Sequence, residues 1–418
     1  MQFQSSFPIL IAHQAVGTAS VAGVRIRQIQ DELERGGWRT IAVASQSDAG
    51  IVAGAHRGLS AIVLSAEPAR TDAQALKHLV EEMSRVHERA PGLPIIALGE
   101  SAALEKGSKT VLGALRHLHS ILYLYEDTVP FLARQVMRAA SDYLEGLLPP
   151  FFKALAHHAE RSAYSWHTPG HAGGIGFTKS PVGYALHEFF GENTLRSDLS
   201  VSVPELGSLL DHTGPVKEAE AYAARVFGAD HSFFVTNGTS TANKIVWHSM
   251  AGRGDLVAVD RNCHKSLLHS LIMTGATPIY FTPARNDYGI IGPIGLDQFS
   301  PQSLRRKVVA SPIARGNKGA VRIAVVTNST YDGLCYNAEM IKARVANEVD
   351  ALHFDEAWYA YAAFHEFYAG RHAMGVPRGY ARADHTLVFA THSTHKLLAA
   401  FSQASMIHVQ ESEKRKID

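Results

Sequence analysis

Cysteine is scarce in this 418-residue chain: Cys263 and Cys335 are its two thiols. They supply neither the spacing of a zinc site nor a disulfide framework, which points to a reducing compartment and a cytoplasmic protein with no metal. Charge of one sign is lacking too. Lys plus Arg number 40 and Asp plus Glu 39, so no basic excess makes nucleic acid or an anionic membrane the expected partner. Small polar ligands fit better. No run approaches the length of a membrane span, and Met1-Gln2-Phe3-Gln4 puts no basic stretch ahead of an apolar core, so neither span nor export signal is expected. Internal repeats and low-complexity tracts are missing, and 46% hydrophobic content excludes disorder and leaves room for two or three domains with buried cores.

Histidine is in excess, at 23 residues. Protonating them would overturn the near-neutral balance, so the electrostatics must change between neutral and mildly acidic pH. The apolar patterning is regular. Five short runs, Pro8 to Ala12, Ile41 to Ala44, Ala61 to Leu64, Pro94 to Leu98 and Ile121 to Tyr125, alternate with segments of helical spacing such as Val21 to Glu34 and Ala73 to His87. That alternation predicts an α/β domain over residues 1–130, a small parallel sheet of the flavodoxin or receiver type. A phosphoacceptor receiver needs acids after its first and third strands, where this chain has Ala12-His13-Gln14 and Ser65-Ala66. Assembly is therefore the expected role of this domain. The spacing of Phe131, Leu132, Val136, Met137, Tyr143, Leu144 and Leu147 predicts a helix from Val129, broken at Pro149-Pro150 and followed by another through Ala154 to Ala159, a helical linker over 131–162. Beyond it, runs at Ser232 to Val235, Leu256 to Val259, Pro278 to Phe281, Ile323 to Val326, Ala351 to Phe354, Thr386 to Phe389 and Ser405 to Val409 predict a seven-stranded, mainly parallel sheet in a domain over 163–418. Ligands of such sheets sit beyond the carboxyl ends of the strands.

Polar motifs follow several of these strands. After Val235 comes Thr236-Asn237-Gly238-Thr239-Ser240-Thr241, leading into a helix predicted from Ala242 to Met250; such a turn offers backbone N–H groups, hydroxyls and a positive helix end to a phosphate. It lacks the Gly-Lys-Ser/Thr ending of a P-loop. In Asp260-Arg261-Asn262-Cys263-His264-Lys265-Ser266, His264 can lay its ring against a flat aromatic ligand. Asp355, directly after the run Ala351 to Phe354, can hold a heterocyclic nitrogen protonated. Lys396 follows Ser393-Thr394-His395 and precedes the apolar run Leu397 to Phe401, a setting that desolvates an amine, lowers its pKa and makes it a nucleophile toward aldehydes. A phosphate turn, a ring-stacking histidine, an acid and a lysine, in that order on one sheet, describe a pyridoxal 5'-phosphate site.

With those residues in view, the chain resembles the bacterial ornithine/lysine/arginine decarboxylases of the pyridoxal-phosphate fold type I, and most closely their inducible, biodegradative arginine branch. Trp166-His167-Thr168-Pro169-Gly170-His171, Asp198 to Gly207, Asp260 to Ser266 and Ser393-Thr394-His395-Lys396 carry the resemblance. It implies Lys396 as the lysine bound to the cofactor aldehyde, Asp355 as partner of the pyridine nitrogen and His264 as ring stacker. Thr239, Ser240 and Ser393 are implied as phosphate contacts, with Trp358 and His395 also at the cofactor. The reaction implied is arginine to agmatine plus CO2, consuming a proton as in an acid-stress response. The first domain then resembles the family's oligomer-building wing, in a homodimer that associates further, to a decamer by family resemblance. Lysine or ornithine as substrate is the alternative within the family, and an inactive scaffold or regulatory fragment the alternative outside enzymes. The family continues past the position of Asp418, so a truncated product is expected, with the C-terminal part missing. His167 and His171 have a metal-like spacing, but Pro169-Gly170 between them predicts a turn. Asp198, Glu205 and Asp211 are open to three readings: facing a cationic substrate, a neighbouring subunit or solvent.

Overall fold

Runs of Ile, Val, Leu and Ala become strands here because both faces of each sheet are covered by helices. The computed structural model describes residues 4–56, 58–65, 81, 83–101, 118–161, 165–200, 203–345, 347–375 and 386–417, and the chain divides into two compact units, Met1–Pro149 and Pro150–Asp418. In the first, β1 (Ile9–Ala12), β2 (Thr40–Val43), β3 (Ala61–Ser65), β4 (Ile95–Gly99) and β5 (Leu118–Tyr123) form one sheet in the order β2-β1-β3-β4-β5, every pair parallel. This is the doubly wound order of flavodoxin-like folds. Helix α1 (Val21–Arg35) starts where the Ser20 side chain accepts from Gly23 N and buries Ile26, Ile29 and Leu33 along one stripe; α2 (Gln46–Ala55) is capped by Ser45 in the same way. Of the expected helix Ala73 to His87, residues 73–80 and 82 lie outside the described residues, and 83–87 are helical.

The expected linker over 131–162 is divided. Helix α3 (Val129–Gly146) sets Leu132, Ala133, Val136, Ala140 and Leu144 into the same core cluster as Ile26, Ile29 and Leu33 of α1, so its apolar face is spent inside the first unit. The second unit opens with α4 (Pro150–Arg161). After it come α5 (Pro181–Phe190), α6 (Glu192–Ser197) and α7 (Gly214–Phe227).

The second unit's sheet contains β6 (His231–Val235), β7 (Leu256–Asp260), β8 (Thr277–Phe281), β9 (Val321–Thr327), β10 (Val349–Asp355), β11 (Leu387–His392) and β12 (Ser405–Gln410), in the order β6-β12-β11-β10-β9-β7-β8. Only β12 runs against its neighbours. Because it is reversed, its first residue, Ser405, pairs with Val235, the last residue of β6. The remaining helices are α8 (Gly238–Met250), α9 (Lys265–Thr274), α10 (Pro301–Ala310), α11 (Ala338–Val345) and the short α12 (Thr394–Leu397). One face of the sheet packs Ala351, Leu387 and Phe389 against Ala242, Val246 and Trp247 of α8; the other packs Leu352, Phe354 and Val388 against Ile341 and Val345 of α11. Among the described residues no helix is long and apolar enough to cross a membrane.

Candidate active site

The carboxyl ends of β6, β7, β9, β10 and β11 and the start of β12 meet at one edge of the sheet. There they enclose a cleft of about 490 Å³, within the ordinary size of small-molecule sites. All eight residues singled out from sequence line it: Thr239, Ser240, His264, Asp355, Trp358, Ser393, His395 and Lys396.

Each is placed by local chain geometry. Gly238 adopts a φ of +76°, with nothing near the position a Cβ would take, which turns the chain from β6 directly into α8. The helix starts four residues earlier than its expected Ala242, so Thr239 and Ser240 sit in its first turn, and Asn237 makes no side-chain cap bond to that turn. The Thr239 hydroxyl bonds the Ser393 and Ser405 hydroxyls. His264 is the N-cap of α9; its Nδ1 accepts from Ser266 N at 3.2 Å and lies 2.8 Å from Ser266 Oγ. Burial is the largest influence on its ring and lowers its pKa, against the pull of Asp355. Asp355 ends β10 inside the strand, where it pairs with Thr327 and Thr391. Its Oδ2 accepts from Asn243 Nδ2 at 3.1 Å and its Oδ1 from Ala357 N at 3.3 Å. Burial pushes its carboxyl above the usual range, and the Asn243 bond is the first opposing influence.

Lys396 is half-buried on α12, its Nζ 4.5 Å from the centre of the Trp358 ring. Burial lowers its pKa, partly offset by Asp355. The apolar run after it is not what shields the amine: Leu397 and Phe401 are 44% and 93% exposed. The turn before β12 ties the site together, Gln403 O accepting from Gly238 N at 2.9 Å and Ala404 O from His395 Nδ1 at 2.8 Å.

Sequence reasoning assigned no role to Asn243, Ser266 or Thr391, which connect these groups. Asn243 Nδ2 also donates to Ser266 Oγ at 2.9 Å, and its Oδ1 accepts from Thr391 Oγ1 at 2.7 Å; His353 Nε2 lies 3.0 Å from the same hydroxyl. One signal for Asn243 was available: it follows Thr239 by one helical turn, on the same face, and asparagine is a poor helix-interior residue. The other flagged polar residues lie elsewhere. His167 Nε2 is 3.1 Å from His158 Nε2, whereas His171 Nε2 is 3.0 Å from Asp198 Oδ2, so the two rings turn to different partners. Asp211 accepts from the Ser208 hydroxyl.

Residues 149–418 match the profile "Orn/Lys/Arg decarboxylase, major domain", and residues 21–143 the corresponding N-terminal domain. The chain belongs to the Orn/Lys/Arg decarboxylase family. It is 63% identical to lysine decarboxylase LdcA of Pseudomonas aeruginosa over 99% of this chain and 54% of that protein. It is 41% identical to the biodegradative arginine decarboxylase of Escherichia coli over 93% of this chain and 51% of that one. The solved structure of lysine decarboxylase A from Pseudomonas aeruginosa superposes with a TM-score of 0.86, covering 99% of this chain and 55% of that one. The chain thus spans about half the length of the curated relatives it matches. The Orn/Lys/Arg decarboxylase family depends on pyridoxal phosphate, and the cleft fits that group. It offers an anion three hydroxyls beside an uncapped helix start, a heterocycle a buried carboxyl, and an aldehyde a half-buried amine of lowered pKa.

Proposed function

We propose that the chain takes part in pyridoxal-phosphate-dependent α-decarboxylation of a basic amino acid, with lysine as the first candidate in place of the arginine expected from sequence. The 63% identity to a lysine decarboxylase, against 41% to an arginine decarboxylase, supports that change. The observation that carries the chemistry is the single cleft in which the Lys396 amine, depressed in pKa by burial, faces the buried Asp355 and the hydroxyl cluster. When bound, pyridoxal phosphate supplies an electron sink for the charge left on the α-carbon as CO2 departs.

The chain's own residues then have distinct tasks. Lys396 would hold the cofactor by its aldehyde, a task that its lowered pKa suits. Asp355 holds a proton on the pyridine nitrogen, a buried carboxylate being a stronger partner than a solvated one. Thr239, Ser240, Ser393 and the first-turn amides of α8 bind the phosphate, with His395 beside them. His264 presents a ring whose Nδ1 is occupied by Ser266, and Trp358 walls the amine from water. Decarboxylation takes up one proton, which supports the acid-stress role expected from the resemblance. The two free cysteines support a cytoplasmic setting. Homodimers that associate further belong to the same reading, and exposed apolar side chains such as Phe401, Leu210 and Tyr331 are surface that association would cover.

The test is to supply pyridoxal phosphate to the protein, record its visible absorption band, and measure CO2 release with lysine, arginine and ornithine. Lysine should give the highest rate. Faster release from arginine would return the assignment to the arginine branch, and a protein without band or turnover would be a scaffold.

A further inference from the structure

Asn243, Thr391, His353, Ser266 and Asp355 are buried, at 1%, 0%, 0%, 1% and 3% exposure, so their polar groups turn to partners within the protein. An ionised carboxylate only accepts. The amide of Asn243 must therefore turn Nδ2 to Asp355, which leaves Oδ1 for Thr391, and the Thr391 hydroxyl must give it its single proton. Having given that proton, Thr391 accepts from His353 Nε2. His353 is suited to this, because its Nδ1 has no partner among the described residues and complete burial pushes its pKa down to about 3, which keeps the ring neutral. Donation runs one way, from His353 through Thr391 and Asn243 to Asp355. The second amide proton goes to Ser266 Oγ, next to His264. A flipped amide would set Oδ1 against the carboxylate, acceptor against acceptor.

We propose that Asn243 is a positioning residue that aims the Asp355 carboxylate into the cleft and keeps it ionised, and that Thr391 holds the Asn243 amide the right way round. The proposal rests on the reading of the cleft as the cofactor site. Other groups also face Asp355: His264 and Lys396 favour its charge, and that charge in turn helps to raise the Asp260 carboxyl and the Cys263 thiol. Among the influences holding Asp355 charged, the Asn243 bond is the largest.

Carboxyl ¹³C NMR of aspartate-labelled, cofactor-free protein, with Asp355→Asn to assign the signal, reads the relay directly. Asn243→Ala, Asn243→Asp and Thr391→Val should each move the Asp355 titration to higher pH. Thr391→Ser, which keeps the hydroxyl, should stay with the wild type. Equilibrium titration with pyridoxal phosphate should show affinity weakened on the order of tenfold in the first three variants, as for loss of a hydrogen bond to a charged group. An unmoved Asp355 titration in folded Asn243→Ala, or Thr391→Ser behaving like Thr391→Val, would overturn the proposal; if Asn243→Ala fails to fold, the Thr391 pair decides alone. Shifted titrations in a protein that binds no pyridoxal phosphate would keep the relay and remove the cofactor reading.

Discussion

An amine withdrawn from water loses its proton more readily than a surface lysine. Lys396→Ala should therefore abolish the pyridoxyl group that borohydride fixes to the protein, as checked by peptide mapping; label on Lys244 or Lys265 in the wild type would contradict the assignment. Buried histidines give a pH signature of their own. His353 and His408 are held neutral by burial, His353 down to about 3 and His408 well below its ordinary range. The unfolded chain takes up those protons from about pH 6.5 downward, so this stability is complete above that pH and is lost as pH falls toward the folded value. Replacing either ring by Asn should flatten the slope of unfolding free energy between pH 6.5 and 5 by about 1.4 kcal/mol per pH unit relative to wild type, measured by urea unfolding. At this scale the sequence was most legible where a residue type has one dominant chemistry in a strand-end setting, as with Lys396, Asp355 and His264. Asn243 and Thr391 were unreadable because their meaning lies in the partners that β10, β11 and α8 bring together.

Between elements, the carboxyl ends of β10 and β11 are braced on the face opposite α8. Glu356 accepts from Asn328 Nδ2 at 2.9 Å and Ala373 N at 2.7 Å, and its Oε2 lies 2.9 Å from His392 Nε2; both residues of that pair are buried. The bracing locks the residues immediately beside Asp355 and Ser393. Glu356→Ala should lower stability by about 3 kcal/mol, since it strands three buried donors, an effect readable from the denaturant midpoint. The same residues explain why strand ends were misjudged. The expected runs stop at Phe354 and Phe389, whereas the strands continue to Asp355 and His392: buried polar residues leave no trace in an apolar pattern. Strand existence was legible for all twelve strands among the described residues, because strands of sheets covered on both faces read as apolar runs. The extent of the first unit was not, since the apolar stripe of α3 does not say which core receives it.

For the molecule as a whole, charge is the property that changes with conditions. His13, His264, His353, His372 and His408 are held below the ordinary imidazole range by burial. These five therefore add little to any charge gained near about pH 6.5. If dimers associate through the first unit, the protein should sediment as a dimer above about pH 8 and as a larger species near about pH 6. Deleting residues 1–149, the compact unit, should remove the larger species and spare the dimer; an unchanged profile, or a large oligomer that survives deletion, would refute this. Substrate choice was the least legible property, because the motifs read from sequence are those of a family that spans ornithine, lysine and arginine decarboxylases.

The turn at Gln403 and Ala404 is exposed or nearly so, yet its two carbonyls hold the start of α8 and the ring of His395. Surface loops ordinarily absorb extra residues without harm. One residue added between Phe401 and Ser405 would displace the anion-binding end and the amine-bearing end of the cleft together. An insertion scan should find this loop as intolerant as a core strand, while the equally exposed turn from Asn286 to Gly289, whose bonds stay within its own hairpin, accepts the same insertion.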